Sequence, residues 1–98
     1  MISHTAAAQF SRHFSEIEGL QKESLLSYYA EPLPNGVTLC VEETTQDGKK
    51  AESCVCPNLS AKLATNILQL ACENNFGLGA WYDLLRDQEI SFQIVPAN

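Results

Sequence analysis

Apolar residues alternate with polar or small ones over residues 37–41, and this alternation restricts the fold more than any other feature. A period of two residues is typical of a β-strand that buries one face of a sheet. A second β-rich run, residues 50–56, follows the turn dipeptide Asp47-Gly48. The pattern therefore predicts a β-hairpin with strands at residues 37–45 and 50–56.

The chain after the hairpin has the spacing of two helices and a further strand. Asn58 or Ser60 can cap the first helix, and Gly77 offers it a left-handed stop. A second helix is predicted over residues 80–87, and the alternation of residues 90–95 predicts a third strand at an edge of the sheet. The expected buried stripes are Leu63, Ile67, Leu70 and Ala71 on the first helix and Trp81, Leu84 and Leu85 on the second.

The N-terminal third of the chain is predicted to be helical. Phe10, Phe14 and Ile17 recur at the i, i+4, i+7 spacing of one helix face. Gly19 falls inside this pattern, where glycine costs about 1 kcal/mol relative to alanine. We therefore expect two helices, or one kinked helix, over residues 5–30.

Together these elements predict an α+β fold in the order α(α)ββααβ. The sheet is expected to have three strands, antiparallel or mixed, formed by the hairpin and the C-terminal strand, with the helices packed on one face. A chain of 98 residues has room for one core, so a single domain over residues 1–98 is expected. It consists of an N-terminal helical segment, residues 1–31, and a hairpin–helix–helix–strand unit, residues 37–95.

Charge and hydropathy restrict the classes of partner. Twelve acidic and six basic residues give a net charge of −6, which repels phosphate backbones, so no nucleic-acid partner is expected. No window approaches the roughly 18 apolar residues of a membrane-spanning helix, and the N-terminus lacks the basic and apolar pattern of a signal peptide. We therefore expect a cytoplasmic protein with no membrane partner.

Three cysteines fall in the hairpin, and its register decides whether they meet. With Asp47-Gly48 as a two-residue turn, Cys54 and Cys56 enter the core and Cys40 lies on the opposite face. With a three-residue loop, Cys40 lies opposite Cys54 and beside Cys56. The second arrangement predicts a metal or redox site formed by Cys40, Cys54 and Cys56, with zinc as the cofactor, whereas the first makes the thiols structural.

A direct disulfide between Cys54 and Cys56 is expected to be strained. The two residues are separated by one residue on an extended strand, so their Cα atoms should lie about 6.6 Å apart. Disulfides prefer a Cα separation of about 5.5 to 6 Å. Cys72, on the first helix, is expected to lie in the core.

Neighbouring aromatic residues predict a surface for protein contacts. Two adjacent residues on a helix cannot both point fully into one core, so some of these rings should reach its rim. Tyrosine and tryptophan are enriched in protein interfaces. The candidate interface residues are Tyr29, Trp81, Tyr82 and Phe92, and packing at the edge of the core is the alternative role for them.

Residues 37–87 contain three features that carry a resemblance. They are the strand Val-Thr-Leu-Cys-Val at 37–41, the cap region Asn-Leu-Ser at 58–60, and Phe-Gly-Leu at 76–78 leading to Tyr-Asp-Leu-Leu at 82–85. In these features the segment resembles short, uncharacterised Firmicute proteins of a domain-of-unknown-function family. The resemblance covers about half of the chain and implies a small bacterial protein, but no activity, catalytic residue or ligand.

The motifs of common enzyme classes are missing from the sequence. It contains no phosphate-binding loop, no dinucleotide-binding glycine pattern, no His-Glu-x-x-His and no nucleophile elbow. The sequence therefore favours a non-enzymatic protein-interaction or regulatory module without a cofactor, able to form a homodimer through residues 90–95 or the N-terminal helix. The alternatives are a metal- or thiol-redox protein and an enzyme whose site would be marked by a deep pocket with a titratable group.

Overall fold

The computed structural model describes residues 10–15, 17–19 and 22–96. In this part of the chain, five antiparallel strands follow one another across one sheet in chain order. The elements are β1 (Phe10–Phe14), β2 (Ser24–Leu33), β3 (Gly36–Thr45), β4 (Gly48–Pro57), α1 (Ala61–Glu73), α2 (Ala80–Asp87) and β5 (Gln93–Val95). Neither helix of these ranges is both long and apolar enough to cross a membrane.

The predicted three-stranded sheet and the order α(α)ββααβ are wrong, although the chain does combine helices with a sheet. The N-terminal segment expected to be helical forms β1 and β2 where the structure describes it. β2 pairs with β3 along its whole length, from Ser24↔Thr45 to Leu33↔Gly36. The sheet therefore has five strands, and the first helix of the described chain comes after β4.

Part of the spacing that predicted an N-terminal helix, the one between Phe10 and Phe14, fits a strand equally well, whereas Ile17 lies outside β1 and is 47% exposed. Phe10 and Phe14 are four positions apart, an even number, so they share one face of β1 as they would share one face of a helix. Both pack against the core. Gly19, expected inside a helix, lies between β1 and β2 with a φ of 76°, a conformation that favours glycine. Long-range pairing with β3 decides between the two structures, and local spacing contains no information about it.

Helix α1 begins as predicted but turns a different face to the sheet. The Ser60 hydroxyl caps it by accepting a hydrogen bond from the Leu63 N–H at 3.1 Å. The predicted stripe is wrong at Leu63 and Leu70, which are 54% and 40% exposed. The buried residues are Ala64, Ile67, Leu68 and Ala71, which lie on one side of the helix. The predicted stop is also wrong, because Asn75 and not Gly77 takes the left-handed conformation.

The second helix and the C-terminal strand form as predicted. Helix α2 buries Trp81, Leu84 and Leu85. Strand β5 pairs with β4, although it is shorter than the predicted strand over residues 90–95. Among the described strands, β5 therefore occupies one edge of the sheet and β1 the other.

The core lies between the two helices and one face of the sheet. Burial of one large apolar side chain contributes about 1.5–3 kcal/mol to stability, so the central strands and both helices hold the fold together. The largest fully buried side chains are Trp81, Tyr28, Leu39, Leu68, Leu85, Val37, Val41, Cys54 and Cys56.

Candidate functional site

Most of the candidate residues meet where β4, β5 and the start of α2 come together. We call this region the β4–β5 corner, and it consists of Glu52, Cys54, Cys56, Trp81, Tyr82, Phe92 and Ile94. Two of the predicted candidates, Tyr29 and Cys40, lie elsewhere. They pair with each other across β2 and β3, on the face of the sheet that the helices do not cover, because the neighbours Leu39 and Val41 point into the core.

The β3–β4 hairpin takes neither of the two predicted registers. Thr45 pairs with Gly48, which makes residues 46–47 the two-residue turn. The pairs that place the cysteines are Leu39↔Cys54, Val37↔Cys56 and Cys40↔Ser53. This register differs by two residues from the one expected for an Asp47-Gly48 turn, and a shift of two leaves every side chain on its original face. The turn residues were therefore wrong, while the faces that this turn implied for the three cysteines agree with the structure.

Cys54 and Cys56 lie side by side on the helix-facing side of β4. Their sulfur atoms are 3.8 Å apart, and both side chains are fully buried. Cys40 is buried on the opposite face. The structure thus brings together two of the three thiols predicted to bind zinc. Within the described ranges no three His, Cys, Asp or Glu residues are grouped to hold a metal ion, and metal binding by the pair stays a prediction that elemental analysis of the purified protein can test.

The hydrogen bond between the two thiols makes them chemically unequal. It raises the pKa of Cys54, and burial raises that pKa further. The same hydrogen bond lowers the pKa of Cys56, although burial opposes this change. Cys56 is therefore the more acidic thiol of the pair and the better candidate nucleophile, since the thiolate is the reactive form.

Glu52 fixes the start of α2 to β4. Its carboxylate Oε1 accepts hydrogen bonds from the Gly79 N–H at 2.6 Å and from the Trp81 Nε1–H at 2.9 Å. Gly79 is the N-cap of α2 and has no side chain to cap it, so Glu52 supplies the missing acceptor and a negative charge at the positive end of the helix. Sequence reasoning did not predict this role, because the two partners lie 27 and 29 residues away along the chain.

Aromatic rings close the corner on the side of α2. Trp81 and Tyr82 are 1% and 8% exposed, so these two interface candidates belong to the core. Phe92 is half-buried and stacks on Tyr82, with ring centroids 5.6 Å apart. The guanidinium of Arg86 lies 5.6 Å from the centre of the Phe92 ring. Burial raises the pKa of Tyr82 to about 12, and the charge of Glu52 acts in the same direction.

Strand β5 forms the open side of the corner. Ile94 pairs with Cys54 and is nevertheless 53% exposed. Residues 90–95 contain no charged side chain. The opposite edge strand, β1, contains Arg12, and a charged side chain on an edge strand deters pairing with other chains. The alternation of residues 90–95 predicted an edge strand, but it could not show which of its residues would face solvent.

A groove of about 380 Å³ lies away from the corner, at the β2–β3 turn. Residues 32–37 and 58–61 line it, and none of them has a titratable side chain. General acid–base chemistry needs a proton donor or acceptor close to the substrate, and the wall of this groove supplies none from a side chain. The groove is therefore not the deep pocket with a titratable group that would mark an enzyme.

Comparison with family models, with curated proteins and with solved structures gives no match to this chain. The resemblance of residues 37–87 to Firmicute proteins stays a prediction. A function for this chain therefore has to be argued from the chemistry and geometry of the β4–β5 corner.

Proposed function

We propose that this chain is a non-enzymatic protein-interaction module that forms a homodimer through β5. One observation carries the proposal: β5 pairs with β4 on one side, and no strand of the described chain pairs with its other side. An edge strand offers unpaired backbone N–H and C=O groups as a template for a further strand. A second copy of the same chain can supply that strand.

The distribution of charge supports a second copy as the partner at this edge. The net charge of −6 makes most surfaces of two copies repel each other, whereas residues 90–95 are uncharged. Antiparallel pairing about a two-fold axis at Ile94 would set Ile94 against its counterpart and Gln93 against Val95 of the second copy. The two exposed isoleucine side chains would then cover each other at the centre of the interface.

The dimer we propose is a transient one. Stable protein interfaces bury about 1,200–2,000 Å², and a strand of three residues, Gln93–Val95, contributes only part of such an area. Pro96 follows directly and lacks a backbone N–H, which limits extension of the pairing. We therefore expect a dissociation constant on the order of 10–100 μM.

Analytical ultracentrifugation of the full chain tests the proposal. We expect a monomer at about 1 μM and a substantial dimer fraction at about 500 μM. Ile94→Lys should abolish the dimer, because it sets two like charges opposite each other. Leu63→Lys is the matched control, since Leu63 is 54% exposed on α1 and Ile94 is 53% exposed. A wild-type chain that stays monomeric throughout, or an Ile94→Lys variant that still dimerises, would contradict the proposal.

We also propose that the chain is cytoplasmic and does not bind nucleic acid. All four cysteines are free, which suits a reducing compartment. The acidic net charge opposes binding to phosphate backbones.

A further inference from the structure

We propose that Cys54 and Cys56 form a reversible intramolecular disulfide that loosens the pairing of β5 with β4. The pair would then be a thiol modification site inside the β4–β5 corner. Its regulatory consequence, control of dimer formation through β5, rests on the function proposed above. The modification itself and its effect on β5 do not depend on that function.

The position of the two thiols favours reaction with each other. They lie on the same face of β4, and each is the hydrogen-bond partner of the other at 3.8 Å. The other two cysteines bond elsewhere: Cys40 bonds to Ser53, and the Cys72 thiol donates to the Ser11 carbonyl at 3.7 Å. Cys54 and Cys56 are therefore the pair that an oxidant can join without moving one strand past another.

A disulfide at this position has to distort β4. The Cα atoms of alternate residues on an extended strand lie about 6.6 Å apart, whereas a disulfide prefers about 5.5 to 6 Å. The Cβ atoms of two residues on one face of a strand lie about as far apart as their Cα atoms, whereas a disulfide needs them about 3.5–4.5 Å apart. The strand must therefore shorten locally between Cys54 and Cys56. Cys54 pairs with Ile94, and the intervening Val55 pairs with Gln93, so the distortion falls within the three-residue ladder that holds β5.

The chemistry requires an oxidant, and a small-molecule disulfide such as glutathione disulfide supplies it. The Cys56 thiolate attacks one sulfur of the oxidant, the oxidant's S–S bond breaks, and one glutathione thiolate leaves. The Cys54 thiolate, after losing its proton to solvent, then attacks the Cys56 sulfur and releases the second glutathione. Two protein thiols are oxidised and one disulfide is reduced to two thiols, which take up the two protons.

Access to the buried pair comes from opening of the corner itself. Both thiols are fully buried, so the oxidant can reach them only after local opening. A three-residue edge strand detaches at a lower free energy than the central strands of a sheet. A strained disulfide is also easily reduced, which makes the modification reversible by excess thiol.

The test uses the full chain, incubated with glutathione disulfide under native conditions at a concentration where it is monomeric. Intact mass should show the loss of two hydrogens, and peptide mapping after alkylation should place the bond between Cys54 and Cys56. Amide hydrogen exchange at Gln93–Val95 should become at least about tenfold faster and return to its original rate after reduction. Cys40→Ser is the matched control and should behave as the wild-type chain does.

Two results would overturn the inference. One is a mass that stays unchanged, or that gains glutathione only on Cys40 or Cys72. The other is a Cys54–Cys56 disulfide that leaves the exchange at Gln93–Val95 unchanged. Both results come from the wild-type chain, so neither depends on the folding of a variant. Hydrogen exchange is measured on monomers, so its result does not depend on dimer formation. Faster exchange in a chain that never dimerises would support the disulfide and contradict only the proposed dimer.

Discussion

At the scale of single residues, Glu52 joins β4 to the start of α2 in the β4–β5 corner. One carboxylate oxygen accepts both the Gly79 N–H and the indole N–H of Trp81. Trp81 is 1% exposed, so without Glu52 its indole N–H loses its partner within a largely buried environment. A buried donor without a partner costs about 1–3 kcal/mol.

Glu52→Ala is therefore expected to lower the free energy of unfolding by about 1–3 kcal/mol. Glu52→Gln should lower it less, because the amide oxygen can still accept both hydrogen bonds. Urea unfolding followed by tryptophan fluorescence measures both changes. Asp83→Ala is the control, since it breaks an exposed ion pair with Arg86 and should change stability by less than about 0.5 kcal/mol. Equal effects of the Glu52→Ala and Asp83→Ala variants would show that the hydrogen bonds accepted by Glu52 do not stabilise the fold.

At the scale of elements, the β2–β3 turn packs against the end of β4 with no room between the backbones. Gly36 pairs with Pro57, and the Asn58 N–H donates to the Asn35 carbonyl at 2.7 Å. A Cβ atom at Gly36 would lie 2.3 Å from the Cys56 carbonyl oxygen. This distance is far shorter than van der Waals contact, and the atom it meets is backbone that cannot rotate away.

Gly36→Ala is expected to destabilise the fold by about 1–3 kcal/mol, because β3 and β4 must separate to admit the methyl group. Gly77→Ala is the matched control: its Cβ would meet only the Leu26 side chain, at an ordinary 3.7 Å. Thermal unfolding followed by circular dichroism compares the two variants. A Gly36→Ala chain as stable as the Gly77→Ala chain would contradict the close approach of these backbones.

At the scale of the whole molecule, two buried tyrosines make the free energy of unfolding depend on pH in the alkaline range. Burial raises the pKa of Tyr28 and of Tyr82 from 10 to about 12. The folded chain therefore holds these two phenolic protons more tightly than the unfolded chain does. Their contribution to stability is fully present below pH 10 and is lost as the pH rises from 10 to about 12.

We therefore expect the free energy of unfolding to fall with pH over this range, and the fall to become less steep in Tyr28→Phe and Tyr82→Phe. The slope is the quantity to compare, because Tyr28→Phe also loses a hydrogen bond from its hydroxyl to the Phe76 carbonyl. Urea unfolding at a series of pH values measures the slope for each variant. Slopes that equal the wild-type slope in both variants would show that neither tyrosine contributes to the pH dependence of the free energy of unfolding.

Local patterns were enough to predict several elements of this molecule. The alternation over residues 37–41 predicted β3, and a cap at Asn58 or Ser60 predicted the start of α1, which Ser60 caps. The residues Trp81, Leu84 and Leu85 were correctly predicted as the buried face of α2. These predictions succeeded because alternation, capping and helical spacing are properties of neighbouring residues.

The sequence by itself therefore determined the later elements and the uncharged strand at the C-terminal edge. Only the tertiary structure decided that the chain before β3 forms β1 and β2, since spacing of four residues fits both a helix and a strand. It also decided the hairpin register, the bond from Glu52 to Trp81 and the exposure of Ile94. Each of these depends on contacts between distant parts of the chain, and local sequence does not specify which distant residues will meet.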